Sequence, residues 1–245
     1  MKSVPLSEHI SAELRDEILR GRYRSGDRLP SERDLAQRFK VHRGAVREAL
    51  KKLEQLGLAH IEAGGARVNP LEEASLDVVE HLLTLSDPPN PQVVYQVFEA
   101  VSGVMGLGFR LSLERADDSD FQRARDLLRE LCESDLSQAR EFELFVELGE
   151  VVARSSGNTV IMLVHRGLKT RFLQTLHDQE FFLGGQEEER LPLVEELARA
   201  FEARDGPAVT EATYKLSASM RNRAIKALES RLANGSEALD RRTSP

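Results

Sequence analysis

Residues 26–58 read GDRLPSERDLAQRFKVHRGAVREALKKLEQLGL, and this stretch decides the architecture of the first part of the chain. Pro30 precedes Ser31, whose hydroxyl can cap a helix that begins at once, and Asp34 three residues on sits favourably in that helix's first turn. The helix is short, turns Leu35 and Ala36 inward and is expected to end near Phe39. Residues 40–43 then form a four-residue connection to a longer helix carrying Val46, Ala49, Leu50, Leu53 and Leu56 on its apolar side. Two helices joined by a tight turn, the second the longer, make a helix-turn-helix unit.

Working outward, residues 7–19 place Ile10, Leu14 and Ile18 at four-residue spacing, which predicts an amphipathic helix before the unit. Gly21 and Gly26 end it in a turn. On the other side, residues 58–62 and 66–69 read as two short strands around Gly64 and Gly65, a hairpin whose bare glycine amides can approach a phosphate closely. Arg43, Arg47 and Lys51 recur every four residues along the third helix, so they share one face, roughly opposite the apolar stripe. That is what a helix lying in a DNA major groove requires, since arginine pairs bidentately with guanine or clamps a phosphate.

Charge divides the chain at the same place. Residues 1–70 hold 14 Lys+Arg against 10 Asp+Glu, while the remainder holds 20 against 31, so a basic first part is hidden inside a total of -7. The glycine-bearing hairpin ends near Asn69 and Pro70, and the expected division is 1–70 and 71–245. With 245 residues, 40% of them hydrophobic and 31% charged, each part can bury a core of its own. Residues 93–109, the most apolar run, are interrupted by Gln96, Glu99 and three glycines and are too short to span a bilayer. A single cysteine, Cys132, and a start without a signal peptide's apolar core set the expectation of a reducing cytoplasm.

The run from Gly26 to Ala36, then Val41 to Leu50, then Leu53 to Leu58, resembles the winged helix-turn-helix of GntR-family bacterial transcription regulators. The resemblance covers nearly all of residues 7–69. It implies that Ser31, Arg33, Arg43 and Arg47 contact operator DNA, that His42, Arg43, Gly44 and Ala45 read base edges, and that Gly64 in the wing reaches the minor groove. Ala63, just before the wing glycines, stands where some relatives carry a polar residue.

From Leu71 on, every apolar group repeats at three or four residues. The stripes are Leu76, Val79, Leu82 and Leu83; Phe121, Ala124, Leu127, Leu128 and Leu131; and Leu144, Leu148, Val151 and Val152. Val160, Leu163, Val164 and Leu168 follow, then Leu193, Leu197, Ala200 and Phe201, and last Val209, Ala212, Leu216 and Met220. The prolines of residues 86–91 mark a turn between helices. The expected fold class is mainly α: an N-terminal winged helix-turn-helix followed by an all-helical antiparallel bundle of six or seven helices. No phosphate-binding loop, nucleophile elbow, His-Glu-x-x-His or paired-cysteine motif occurs, and the histidines at 9, 42, 60, 81, 165 and 177 stand at no metal-ligand spacing, so they read as surface or packing residues. Catalysis is not expected.

Glu143-Leu144, the glycine-bearing helix after them and Ser156-Gly157-Asn158 resemble the ligand domain of the FadR branch of the family, the fatty-acid-responsive regulators. Many members hold a divalent metal through an Asp and three His, which then takes a carboxylate effector; the matching positions here are Phe145, Gly149, Val194 and Leu216, none of which can ligate an ion. The resemblance therefore implies no metal and no cofactor, and favours an apolar effector such as a long-chain acyl-CoA. An arginine common near the start of the second long helix is replaced by Val101, while Ser217, Ala218 and Ser219 fall where acyl-CoA-binding relatives admit the ligand. Val101, Gly149, Ser217, Ala218 and Ser219 are the candidate effector residues. The expected protein is a cytoplasmic homodimer on an inverted-repeat operator, released by a small-molecule effector. The alternatives are a family member sensing another metabolite and a module or enzyme whose helix-turn-helix is only structural.

Overall fold

The computed structural model describes residues 5–168 and 187–243, the side chains of 168, 187, 188 and 234–243 excepted. The chain divides into two compact units, residues 1–87 and 88–245.

In the first unit, α1 (Leu6–Leu19), α2 (Glu32–Phe39) and α3 (Arg43–Gln55) precede a hairpin of β1 (Ala59–Glu62) and β2 (Gly65–Val68), paired antiparallel with Ala59 opposite Val68. Ile10, Leu14, Leu35, Val46, Ala49 and Leu53 bury completely or nearly so, and Leu58, Ala66 and Val68 close the core from the hairpin. Ser31 caps α2 by accepting from the Asp34 amide, and the same hydroxyl donates to the Asp34 carboxylate at 2.7 Å. The stretch before α2 is more than a turn: the Gly26 amide donates to Val68 O and the Leu29 amide to Ala66 O, both at 2.9 Å, so residues 26–29 lie along the outer edge of β2. Both strands begin one residue earlier or later than the sequence pattern places them, and the connection between α2 and α3 is three residues, because Arg43 already opens the helix.

The unit continues past the expected boundary at residue 70. A 3-10 turn (Leu71–Glu73) and α4 (Val78–Thr84) pack back on it: Val78 and Leu82 join its apolar core, and the Arg20 guanidinium donates to Leu85 O at 2.9 Å. Gly57 makes this return possible. Its φ is +71°, and a Cβ there would lie 2.3 Å from Glu73 O. Leu76, assigned above to a buried stripe of the bundle, is 55% exposed, since α4 starts only after it.

The second unit is helical throughout its described residues: α5 (Pro91–Arg115), α6 (Asp118–Leu131), α7 (Gln138–Ser155), α8 (Thr159–Leu168), α9 (Glu187–Glu202) and α10 (Gly206–Thr243). Polar side chains start several of these helices, with Asn90, Asp117 and Ser137 each accepting from a first-turn amide of α5, α6 and α7. Asn158 does the same for α8, after Gly157 turns the chain at φ +59°. The core joins α5, α6, α7, α9 and α10 through Phe109, Leu127, Leu144, Val152, Phe201 and Val209. Phe201 stacks on Phe121 at 4.9 Å and meets Phe109 edge-on. Arg190 is buried and donates to Leu131 O and Glu133 O at the end of α6, supplying partners for carbonyls the helix leaves open. One stripe differs from expectation: Val160 and Leu163 of α8 are 67% and 58% exposed, and Ile161 is the residue that buries. No helix among the described residues is long and apolar enough to cross a membrane. His177 lies outside the described residues.

Candidate nucleic-acid interface and apolar cavity

The exposed side of α3 and the wing enclose a groove of about 440 Å³, bordered by Ser31, Arg47, Lys51, Ile61, Gly64 and Gly65 among others. Thus Ser31, Arg47 and Gly64, which lie far apart in the chain, meet around one concavity. Gly64 adopts φ +102° with open space where a side chain would stand, so its backbone is free to be approached. Arg33, His42, Arg43 and Gly44 are exposed but are not among the residues that border the groove.

Three residues of the implied DNA-contacting set have local structural duties, Ser31 as the cap of α2 and two more at α3. His42 is the N-cap of α3, its Nδ1 accepting from the Ala45 amide at 3.2 Å. Ala45 is only 7% exposed and belongs to the core, because it falls on the Val46 and Ala49 side of the helix; its side chain cannot reach a base edge.

The arginines differ in how they are held. Arg47 donates through Nε to both carboxylate oxygens of Glu32 at 2.8 and 2.9 Å, which raises its already high pKa. Arg33 lies 3.5 Å from the Asp34 carboxylate, which is held below its ordinary range chiefly by the Ser31 hydroxyl. Arg43 has no ion-pair partner among the described residues. Glu32 occupies the Nε–H of Arg47 and competes with any anion for its charge, whereas Arg43 is available as it stands.

The second unit contains an apolar cavity of about 140 Å³ between α5, α7, α8, α9 and α10. Phe98, Val101 and Phe109 of α5 face Phe145 and Gly149 of α7 across it, and Leu216, Ser217 and Met220 of α10 close another side. Three of the five candidate effector residues, Val101, Gly149 and Ser217, therefore line this space. Ala218 and Ser219 do not: on α10 the lining positions are 213, 216, 217 and 220, and the intervening residues turn to other faces at 100° per residue. Phe145, Gly149 and Leu216, matched above to metal-ligand positions, line the cavity as well, with Val194 fully buried in the core. These side chains offer no lone pair, and among the described residues no three His, Cys, Asp or Glu converge. The residues present do not fit an Asp-and-three-His ion.

His165 was not a candidate, yet it lines the cavity. A Cβ built on Gly149 would lie 2.7 Å from its Cε1 and 3.3 Å from its Nε2, so the imidazole rests directly on the α7 backbone. Only folding brings positions 149 and 165 together; the one sequence signal was a glycine inside a strongly amphipathic helix, which marks a close approach.

The pattern described as "Bacterial regulatory proteins, gntR family" matches residues 6–68, and that of the FCD domain matches residues 96–218. This chain belongs to the GntR family of bacterial regulators. Among its relatives, the "HTH-type transcriptional regulator Mce2R" of Mycobacterium tuberculosis is 30% identical over 178 residues, 71% of this chain and 72% of that protein. A "Fatty acid metabolism regulator protein" of Shewanella sp. MR-7 is 28% identical over 207 residues, 82% of this chain and 83% of that one. The solved structure of Lar from Listeria monocytogenes, at 13% identity, covers 92% of this chain and 99% of its own with a TM-score of 0.54, a likeness of fold alone. The family consists of transcription regulators, so the first unit is the DNA-binding part of a GntR regulator and the second its ligand-responsive FCD domain.

Proposed function

We propose that this GntR regulator is a cytoplasmic homodimer that binds an inverted-repeat operator through α3 and the wing, and leaves it when the second unit takes up an acyl-CoA, in the control of fatty-acid or carboxylic-acid metabolism. The observation that carries the reading is the cavity: among the described residues its wall is hydrocarbon apart from three side chains, and it lies at Phe145, Gly149 and Leu216, the positions matched to the family's metal ligands. A carboxylate seeking an ion finds no partner there, whereas a hydrocarbon group gains about 0.8 kcal/mol for each methylene it buries. The Shewanella relative's name supports the same direction.

The cavity's size favours a second reading, in which the enclosed group is short. About 140 Å³ is close to the roughly 150 Å³ of an engineered cavity that holds benzene. Titration of the operator complex with saturated acyl-CoAs of increasing length, with free CoA as control, tests both readings. Release should sharpen roughly tenfold for every two carbons until the space is full. A plateau at about six to eight carbons supports the short group, and a rise continuing well beyond it supports the long chain. A flat series, or release by CoA alone, contradicts the acyl-group reading.

A further inference from the structure

Among the described residues, three side chains interrupt the hydrocarbon wall of the cavity: Thr213, Ser217 and His165. Thr213 spends its proton on Val209 O at 2.7 Å, inside its own helix. Ser217 lies one turn further along the same face of α10 and faces the cavity. His165 enters from α8, with its ring laid against Gly149.

That contact determines where the imidazole is. At 2.7 Å from Cε1, a Cβ at position 149 would overlap the ring, so any residue but glycine there would oblige the ring to shift. The neighbour on that side is helix backbone, which does not yield as a flexible side chain would, and the ring is thereby held in register with the cavity. A neutral imidazole carries one donor and one acceptor nitrogen, so a partner on one leaves the other for a ligand. Small-molecule pockets characteristically combine an apolar wall with a few fixed polar groups that set orientation and specificity. Among the described lining residues, His165 and Ser217 are the groups able to turn a proton inward, and a proton so turned meets an acceptor oxygen of the ligand.

We propose that His165, seated on Gly149, is a specificity-determining residue of this cavity, its ring N–H donating to the carbonyl or carboxylate oxygen of a ligand whose hydrocarbon part fills the space, with Ser217 as the second polar contact. The proposal rests on the reading of the cavity as the effector site, and it adds which atom of the effector is recognised.

Hexanoyl-CoA and its thioether analogue S-hexyl-CoA share the nucleotide and nearly the same chain and differ in the carbonyl oxygen. Their affinities for the full-length protein, measured by calorimetry, isolate that oxygen. The parent should prefer hexanoyl-CoA by about tenfold, the size of one net hydrogen bond. His165→Phe, which fills the same space without a donor, should bind both compounds equally, and His165→Gln, which keeps an N–H, should restore part of the preference. Melting temperature and operator affinity establish first that each variant folds; should His165→Phe not fold, Gly149→Ala tests the same point, since its methyl group displaces the ring and should erase the preference. A parent that binds the two compounds equally, or a His165→Phe protein that keeps the full preference, overturns the role of His165 while leaving the cavity as effector site. Binding of neither compound to the parent overturns the acyl-CoA reading and this proposal with it.

Discussion

The DNA-facing side of the first unit and the cavity of the second place function in opposite relations to the core. In the first unit, Arg33, Arg43 and Arg47 stand outside a core of Ile10, Leu14, Leu35, Val46, Leu50 and Leu53, and among the described residues Leu50 is the one member of that core that also borders the groove. In the second, Phe109, Leu148, Leu197 and Leu216 belong both to the core and to the cavity wall. The difference teaches that binding and stability can be altered separately on the α3 face, whereas around the cavity a change in one is a change in the other.

A core substitution in the cavity wall should produce the largest effect. Leu216 is 5% exposed, and Leu216→Ala removes most of its buried side chain. It should lower stability by about 2–5 kcal/mol and enlarge the cavity, so that longer acyl chains fit. Denaturant unfolding and the acyl-CoA series measure the two together; a loss of stability with no change in chain preference would break the comparison at its second half.

Arg43→Ala comes next. It should cost on the order of 1–3 kcal/mol in operator binding, if the contact to a base is bidentate, and leave unfolding unchanged, because Arg43 is exposed. A melting temperature that falls with it would show that the face and the core are not separate.

The smallest effect sharpens the picture of the surface. Glu32→Gln removes the carboxylate that holds Arg47 and should tighten DNA binding by about two- to fivefold, most visibly at low salt, since exposed pairs of this kind are weak. Weaker binding would mean that Glu32 positions Arg47 for DNA rather than competing with it.

What was legible in the sequence follows the same division. The helix-turn-helix could be read because its signals are local: a cap at Ser31, apolar residues at helical spacing, arginines one turn apart. Two local errors have local causes. The resemblance counts Ala45 with His42, Arg43 and Gly44 among the base-reading positions, although a helix turns 100° per residue and carries its side chain into the core. The boundary at residue 70 missed the return of α4, which depends on Gly57 meeting Glu73, a contact no period announces. In the bundle, helical periodicity marks the buried stripes of α6, α7, α9 and α10, but it gives none for α5, and in α8 it points to Val160 and Leu163 where Ile161 buries. The cavity was beyond reach for a different reason: it is a space bounded by residues 98, 149, 165 and 216, and only packing brings such positions together. Val101, Gly149 and Ser217 were found through a resemblance, while His165 was passed over because a lone histidine has no spacing to be recognised by.

The division of labour between the two units is tested most directly by one set of fluorescence-anisotropy titrations, on the parent, Arg43→Ala and Ser217→Phe, each read for operator affinity and for its response to hexanoyl-CoA. Arg43→Ala should lose operator affinity and still bind the ligand. Ser217→Phe, whose ring fills the cavity, should hold the operator as the parent does and no longer release it. Release by hexanoyl-CoA that persists at parental concentrations in a folded Ser217→Phe protein would contradict the account, because the ligand would then be acting somewhere other than the cavity.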